Sequence, residues 1–328
     1  MCTAIRRGYS RDLRTTERMA LRAQNPYTMS PHDDFNGSLA SEILGSLDSL
    51  LGVFELETTG HDRFQAHSEN ARFNQVFGGQ VMAQALIAAS ATMEAKVPNS
   101  LHAYFVEAAD TSNPLELEVD RIRDGRSIST RRVTVLQKGR VVLTLIASFQ
   151  TPPPPTAEDD LSTVATPDPN EPRLQDWARR APVDLVRLSQ PWIDVPPPIE
   201  VRMDQAPSFL GGEKSHAPRT HFMRLPRHVG SDRSMHAAFL VYASDYLLLD
   251  MVYRAAPEQY HPEFVGVSLD HSVWLYRPVQ LDRWHSYTQE LVGFGDNRGL
   301  IRGTICDQEG RLVAQVMQEA LVRPSHPR

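Results

Sequence analysis

Asp245 closes the run Tyr242-Ala243-Ser244-Asp245 inside the apolar segment Ala237–Val252. If that segment is one continuous helix, the residues one turn away are Val241, Tyr242, Leu248 and Leu249. A carboxylate then faces an apolar surface, where loss of water raises its pKa and poises it as a base. A second reading makes Ser244 or Asp245 the N-cap of a shorter helix starting near Tyr246. The local sequence leaves both open. Ser268 shares a strand face with Asp270, Ser272 and Trp274, while Val265, Val267 and Leu269 take the other. Gln318 shares a face with Ala314, Val316 and Ala320. Either is ordinarily just a satisfied polar group on a strand. Gly78-Gly79 opens a helix, where glycines permit close backbone approach and free N–H groups can bind an anion or an oxyanion; a tight helix entry is the plainer reading.

Other constellations carry less chemistry. Gly266-Val267-Ser268-Leu269-Asp270 imitates a G-x-S-x-G nucleophile elbow, but its last position is Asp and the strand pattern runs on through Tyr276, so no strand-to-helix turn follows. Gly293–Gly299 imitates a dinucleotide loop with the wrong spacing and strands on both sides. His216 and His221 have no third ligand and no HExxH occurs, so no metal is expected. Cys2 and Cys306 give neither a disulfide framework nor zinc-ligand spacing. No organic cofactor is implied.

These residues sit on a repeated order of elements. In the first half an apolar helix over Val81–Ala91 precedes strands at His102–Val106, Leu115–Arg123, Ser129–Gln137 and Arg140–Gln150. Leu115, Leu117 and Val119 alternate with Glu116, Glu118 and Asp120, as a half-buried strand requires. Asp124-Gly125 and Lys138-Gly139 supply residues for positive-φ hairpin turns. In the second half a helical pattern over Met235–Arg254 precedes strands at Val265–Tyr276, Trp284–Phe294, Leu300–Cys306 and Leu312–Val322. His102 and His271 align at an offset of 169, and Gly139 and Gly310 at 171. The expected organisation is an N-terminal extension over 1–40, a first domain over 41–150, a proline-rich linker over 151–200 and a second domain over 201–328.

The chain has 328 residues, 41% hydrophobic and 23% charged, with a net charge of −6. Two domains of ordinary size fit that length. The acidic balance argues against a nucleic-acid partner, and no run of 18 apolar residues suggests membrane insertion. The first thirty residues carry Arg6, Arg7, Arg11, Arg14, Arg18 and Arg22 against only Asp12 and Glu17. A transit peptide is one reading; a disordered tail, with Met19 or Met29 as the functional start, is the one favoured. Cytoplasm is the default location.

Several motifs in register resemble the type II (TesB-like) acyl-CoA thioesterases. They are Val76-Phe77-Gly78-Gly79-Gln80-Val81 with Gln84-Ala85, Leu101–Phe105, Arg123–Ser127, Ala147–Gln150, Tyr242–Asp245, Leu269–Trp274 and Gln318-Glu319. The resemblance implies an α+β tandem hotdog, each half a long helix wrapped by an antiparallel sheet. It implies hydrolysis of acyl-CoA to fatty acid and CoA by a water held between Asp245, Ser268 and Gln318. Ser268 stands where bacterial members often have Thr. Backbone N–H groups of Gly79 and Gln80 are candidates for the oxyanion. The alternatives are a hotdog enoyl-CoA hydratase or dehydratase using His271 beside Asp270, and a non-catalytic acyl-CoA-binding protein. Adjacent strand residues point to opposite faces, which counts against the His–Asp pair. In the registers above Gln318 falls opposite Ala147 and Ser268 opposite Asn99, so one site per chain is expected. Acyl-chain length is not readable, and a homo-oligomer is compatible with the sequence.

Overall fold

Alternation along the strands decides which side of the sheet turns inward. Leu115, Leu117 and Val119 are buried, and so are Val133 and Val135 on the next strand and Leu143, Leu145, Ala147 and Phe149 on the one after. Each large aliphatic removed from water in this way contributes about 1.5–3 kcal/mol. The computed structural model describes residues 37–69, 72, 75–152, 167–168, 170–257, 260 and 266–324. The Arg-rich N-terminal segment and most of the Thr151–Pro172 run lie outside them.

The first half comprises helix α1 (Gly37–Phe54), strands β1 (Glu57–Gly60) and β2 (Arg63–Ala66), helix α2 (Gly78–Ala91), and strands β3 (Val97–Phe105), β4 (Leu115–Asp124), β5 (Ile128–Gln137) and β6 (Arg140–Gln150). Next come helices α3 (Leu174–Arg180) and α4 (Val186–Asp194), strands β7 (Glu200–Arg202) and β8 (Arg219–Arg224), and helices α5 (Arg233–Ser244) and α6 (Leu248–Ala255). Strands β9 (Val267–Ser268), β10 (Asp270–Leu275), β11 (His285–Gly295), β12 (Arg298–Cys306) and β13 (Leu312–Leu321) complete the second half. Among the described residues these strands form one antiparallel sheet in the order β1-β2-β4-β5-β6-β3-β10-β13-β12-β11-β8-β7, with β9 on β13. The halves join edge to edge where β3 pairs with β10. This is the expected α+β tandem hotdog.

Four expectations change. Helix α1 begins at Gly37, ahead of the expected start of the first domain, and buries Ile43, Leu47, Leu50 and Phe54 at helical spacing. The linker ends well before residue 200. Leu174, Trp192 and Ile199 are in the core, Pro196 to Pro198 are buried, and wholly buried Glu200 binds Arg173, Arg202 and Arg224. Burial pushes the Glu200 carboxyl up, but the Arg224 and Arg202 guanidiniums hold it below its ordinary value. The turn at Lys138-Gly139 does have positive φ at both residues, 52° and 73°. Asp124-Gly125 does not; Gly125 is needed because a Cβ there would meet the Ile128 carbonyl oxygen at 2.5 Å. Lastly, the helix expected over Met235–Arg254 is broken at residues 245–247.

Candidate active site

Helix α5 starts at Asp232, whose carboxylate accepts from the Ser234 and Met235 N–H groups, and buries every residue from His236 to Ser244. Asp245 is its C-cap, and Leu247 turns left-handed at φ 65° before α6 begins. Neither reading of Asp245 from sequence anticipates this. A helix end leaves carbonyls without partners, and here side chains from β8 and β11 supply them. The Tyr287 hydroxyl donates to Ser244 O (2.7 Å), Gln289 Nε2 to Tyr246 O (2.8 Å) and Arg219 Nη2 to Leu247 O (3.4 Å). Arg219 also pairs with Asp250 at 2.6 Å, inside the first turn of α6.

The break swings the half-buried Asp245 carboxylate toward the start of α2, where Oδ2 accepts from the Gly79 N–H at 2.9 Å. The two glycines serve different ends. A Cβ on Gly78 would sit 2.9 Å from Asp245 Oδ2 and 3.0 Å from the Phe105 ring, whereas one on Gly79 would strike Tyr242 O and the Phe77 ring. Gly79 therefore lets α2 and α5 cross closely, and Gly78 leaves room for the carboxylate. Burial raises the Asp245 pKa to about 6, with the Gly79 N–H opposing the shift. The Gln80 N–H donates to Phe77 O (3.0 Å). Both backbone donors considered for an oxyanion are thus engaged within the protein. The Gln80 side chain also works locally, with Nε2 donating to Gln84 Oε1 and Oε1 accepting from Glu69 N.

Ser268 and Gln318 meet because of a β-bulge. Ser268 stands opposite Ala320, but Ser272 stands opposite Met317, so Leu269 and Asp270 together face Glu319. Leu269 N donates to Glu319 O, and Asp270 Oδ1 accepts from Glu319 N at 2.7 Å. The extra residue flips parity, so Ser268 joins the inward face of His271 and Val273 instead of sharing a face with Asp270 as simple alternation predicts. Gln318 Nε2 donates to Ser268 Oγ at 3.0 Å, and Gln318 Oε1 lies 2.6 Å from His271 Nδ1. His271 Nε2 lies 2.9 Å from Ser244 Oγ. The His271 and Asp270 side chains do not converge.

A cavity of about 660 Å³ is lined by both Asp245 and Ser268, with Phe77, Val81, Phe105, Trp192, Phe209 and Leu249 among its apolar lining. Gln318, with no exposure, lies behind Ser268. Within the same lining Arg72 stacks over Trp192 and donates to Val195 O. Nearby Glu69 accepts from the Tyr242 hydroxyl, and burial raises its pKa to about 7. A second cavity of about 600 Å³ involves Lys214, Arg254 and Phe294. Among the described residues no carboxylate lines it, and its Lys214 ammonium caps the carbonyls of Tyr253, Ala256 and Tyr260. The first cavity is the candidate site. No group of His, Cys, Asp and Glu suited to a metal occurs among the described residues.

The site also draws on Tyr287 and Gln289, which the sequence did not single out, on Ser244, weighed only as an N-cap, and on His271, weighed only as a partner for Asp270. A signal existed, since polar residues occupy inward positions of β11. It was masked because the outward positions Ser286, Thr288 and Glu290 are polar too.

Residues 67–150 match the acyl-CoA thioesterase N-terminal domain model, and residues 165–322 match the C-terminal domain model. The human protein "Acyl-coenzyme A thioesterase 8" is 33% identical over 298 residues, covering 85% of this chain and 91% of that protein. The tesB protein of Mycobacterium avium subsp. paratuberculosis superposes with a TM-score of 0.67 at 25% identity, covering 85% of this chain and all of that one. A hot dog fold protein of unknown function from Alicyclobacillus acidocaldarius, at 19% identity and a TM-score of 0.64 over 85% of this chain and 98% of its own, shares the fold. With both halves matched and one-third identity across most of its length, the chain belongs to the type II acyl-CoA thioesterase family.

Proposed function

We propose that the cavity hydrolyses acyl-CoA thioesters by attack of a single water, with Asp245 as the base, Ser268 holding the water, and Gln318 holding the Ser268 hydroxyl from behind. The observation that carries this is that the Asp245 carboxylate and the Ser268 hydroxyl, itself held by the buried Gln318 amide, line the same apolar cavity. The apolar lining suits an acyl chain. Asp245 takes a proton from water as the water oxygen bonds to the thioester carbonyl carbon. The carbonyl electrons move onto oxygen and return as the C–S bond breaks. CoA leaves as a thiolate, which takes up the proton held by Asp245, and the acid remains. A thiolate leaves readily, so water activation is the step most in need of help, and a positioned base is worth on the order of 10²–10⁴ in rate. With a pKa near 6, Asp245 is largely ionised at neutral pH.

A hydratase lacks its acid–histidine pair here, because Asp270 is taken by a backbone N–H and His271 faces Gln318. The test is a panel of saturated and 2-enoyl-CoAs with a thiol reagent, run on the wild type and Asp245→Asn. Release of free CoA that fails in the variant is expected. Loss of enoyl absorbance without thiol release overturns the reading, as does an Asp245→Asn enzyme that keeps more than about a tenth of kcat.

A further inference from the structure

Behind Ser268 runs a chain of hydrogen bonds that ends one residue from Asp245. Ser244, His271 and Gln318 have no solvent exposure. The links are Ser244 Oγ to His271 Nε2 at 2.9 Å, His271 Nδ1 to Gln318 Oε1 at 2.6 Å, and Gln318 Nε2 to Ser268 Oγ at 3.0 Å. We propose that His271 is a positioning residue for the thioesterase reaction: it holds the Gln318 amide so that Gln318 donates to Ser268, leaving the Ser268 O–H free to donate into the cavity. This rests on the assignment of Asp245, Ser268 and Gln318 above and adds the group that orients two of them.

The direction of each bond follows from donor and acceptor capacity. Burial lowers the His271 pKa to about 4, against a smaller opposing effect of Gln318, so the ring is neutral near pH 7 and has one N–H and one lone pair. An amide oxygen can only accept, so the proton facing Gln318 Oε1 sits on Nδ1. Nε2 is then an acceptor. Ser244 has one hydroxyl proton and two acceptors in reach, His271 Nε2 and Val241 O at 2.8 Å. Sending it to Val241 O would set two lone pairs against each other across 2.9 Å, so it goes to the ring. With Nδ1 donating, the Gln318 oxygen is occupied and its N–H groups turn to Ser268. The serine oxygen is filled as an acceptor, and its own proton points elsewhere. On the cavity wall, that donor can meet the attacking water or the thioester oxygen as charge grows there. An apolar residue at 271 would let the amide rotate, and Ser268 could then turn its proton back onto Gln318.

Three variants of the full chain test this beside Asp245→Asn. Asn places a donor where His271 Nδ1 lies; Gln reaches the Nε2 position instead; Leu fills the space with neither. His271→Leu is expected to lower kcat by about 10- to 100-fold, the usual scale for misplacing a reacting group, with KM within about twofold. His271→Asn should recover most of that loss, and His271→Gln should not. A packing role alone predicts that kcat follows melting temperature in all three, and that outcome overturns the proposal. Should the Leu variant not fold, the Asn and Gln pair carries the comparison. Nitrogen NMR of histidine-labelled protein, with the signal assigned by its absence from His271→Asn, reads the tautomer directly. The Nδ1–H form is expected, and the Nε2–H form overturns the stated direction. The two levels separate cleanly: an active Asp245→Asn enzyme removes the underlying assignment, whereas an inactive one beside a fully active His271→Leu removes only the role of His271.

Discussion

The two halves hold the same helix-on-sheet unit, and register fixes which residues occupy equivalent places. Leu117 pairs with Val135 and Val119 with Val133 in the first half; Tyr287 pairs with Ile305 and Gln289 with Gly303 in the second. Every member is offset by 170. Phe64 stands across from Leu117 where His221 stands across from Tyr287. Pro98 pairs with Phe149 and Leu101 with Ala147, and after a matching bulge Ser268 pairs with Ala320 while His271 meets Gln318. The first half thus lines its helix with Phe64, Pro98, Leu101, Leu117, Val119 and Ala147. The second puts His221, Ser268, His271, Tyr287, Gln289 and Gln318 in those places. An apolar lining gives no partner to stray carbonyls, and α2 runs unbroken; Tyr287 and Gln289 of the polar lining, with Arg219 on the neighbouring strand, receive three carbonyls, and α5 stops where Asp245 is presented. The lesson is that the polar groups work as a set: those under the break hold the end of α5 where Asp245 is presented, and those on the junction strands hold Ser268 in the lining of the same cavity.

The most direct way to break this comparison is to look for chemistry in the first half. The Asp245→Asn, Gln318→Ala double variant should lose on the order of 10²–10⁴ in kcat and leave no residual hydrolysis attributable to residues 37–150. Calorimetry with a non-hydrolysable thioether analogue of acyl-CoA should find one tight site per chain; two equivalent sites would sink the asymmetry.

The paired glycines sharpen the same point at the shared interface. Gly78→Ala pushes a methyl against Asp245 Oδ2 and Phe105 and should lower kcat by about 10-fold or more while the melting temperature moves little. Gly79→Ala sets a methyl against backbone of α5 and should cost about 1–3 kcal/mol of stability. Equal kinetic and thermal effects in both would contradict the division of roles. Under the helix break, Tyr287→Phe leaves the buried Ser244 carbonyl without that donor. A loss of about 1–3 kcal/mol in denaturant unfolding is expected, with a fall in kcat. Unchanged kcat would show that the break holds without the tyrosine.

The smallest effect is one of pH. The Asp245 pKa of about 6 lies above its ordinary 3.8, so ionisation of this group disfavours the native state. The penalty is full above about pH 6, shrinks as pH falls and vanishes below about 3.8. Asp245→Asn should therefore be more stable than wild type by about 1–2 kcal/mol at pH 8, after allowance for its partial exposure, and the gain should disappear in acid. The wild-type rate should climb through about pH 6 and level off above it; a limb near pH 4 would mean the carboxylate is not desolvated.

Much of the framework was legible in the sequence. Strands β4, β5, β6 and β13 match their patterns to within a residue or two at each end, because one face of each is apolar and the other is not. Apolar patterning says nothing about an inserted residue, and this is where parity failed. His102 and His271 align by letter, yet His102 is exposed and His271 wholly buried, because Leu101 holds the equivalent place. Likewise Pro98, not Asn99, is the counterpart of Ser268. The break in the second helix was hidden for another reason: Tyr246, Leu247 and Leu248 are sound helix residues, and what stops the helix is a set of donors on strands more than twenty residues away.

The sequence by itself determined the tandem helix-and-sheet order and the apolar identity of most of the core, since these follow from local periodicity, whereas Asp245, Ser268 and Gln318 stood out as a set only through the family resemblance. Only the tertiary structure decided that Asp245 caps a helix against the Gly79 N–H, that a bulge at Leu269 brings Ser268 to Gln318, and that His271 stands behind them. Those relations depend on hydrogen bonds between groups 27 to 166 positions apart in the chain. Such bonds form only once the sheet has paired and closed around its helices, because a buried donor or acceptor must then find its partner inside the protein.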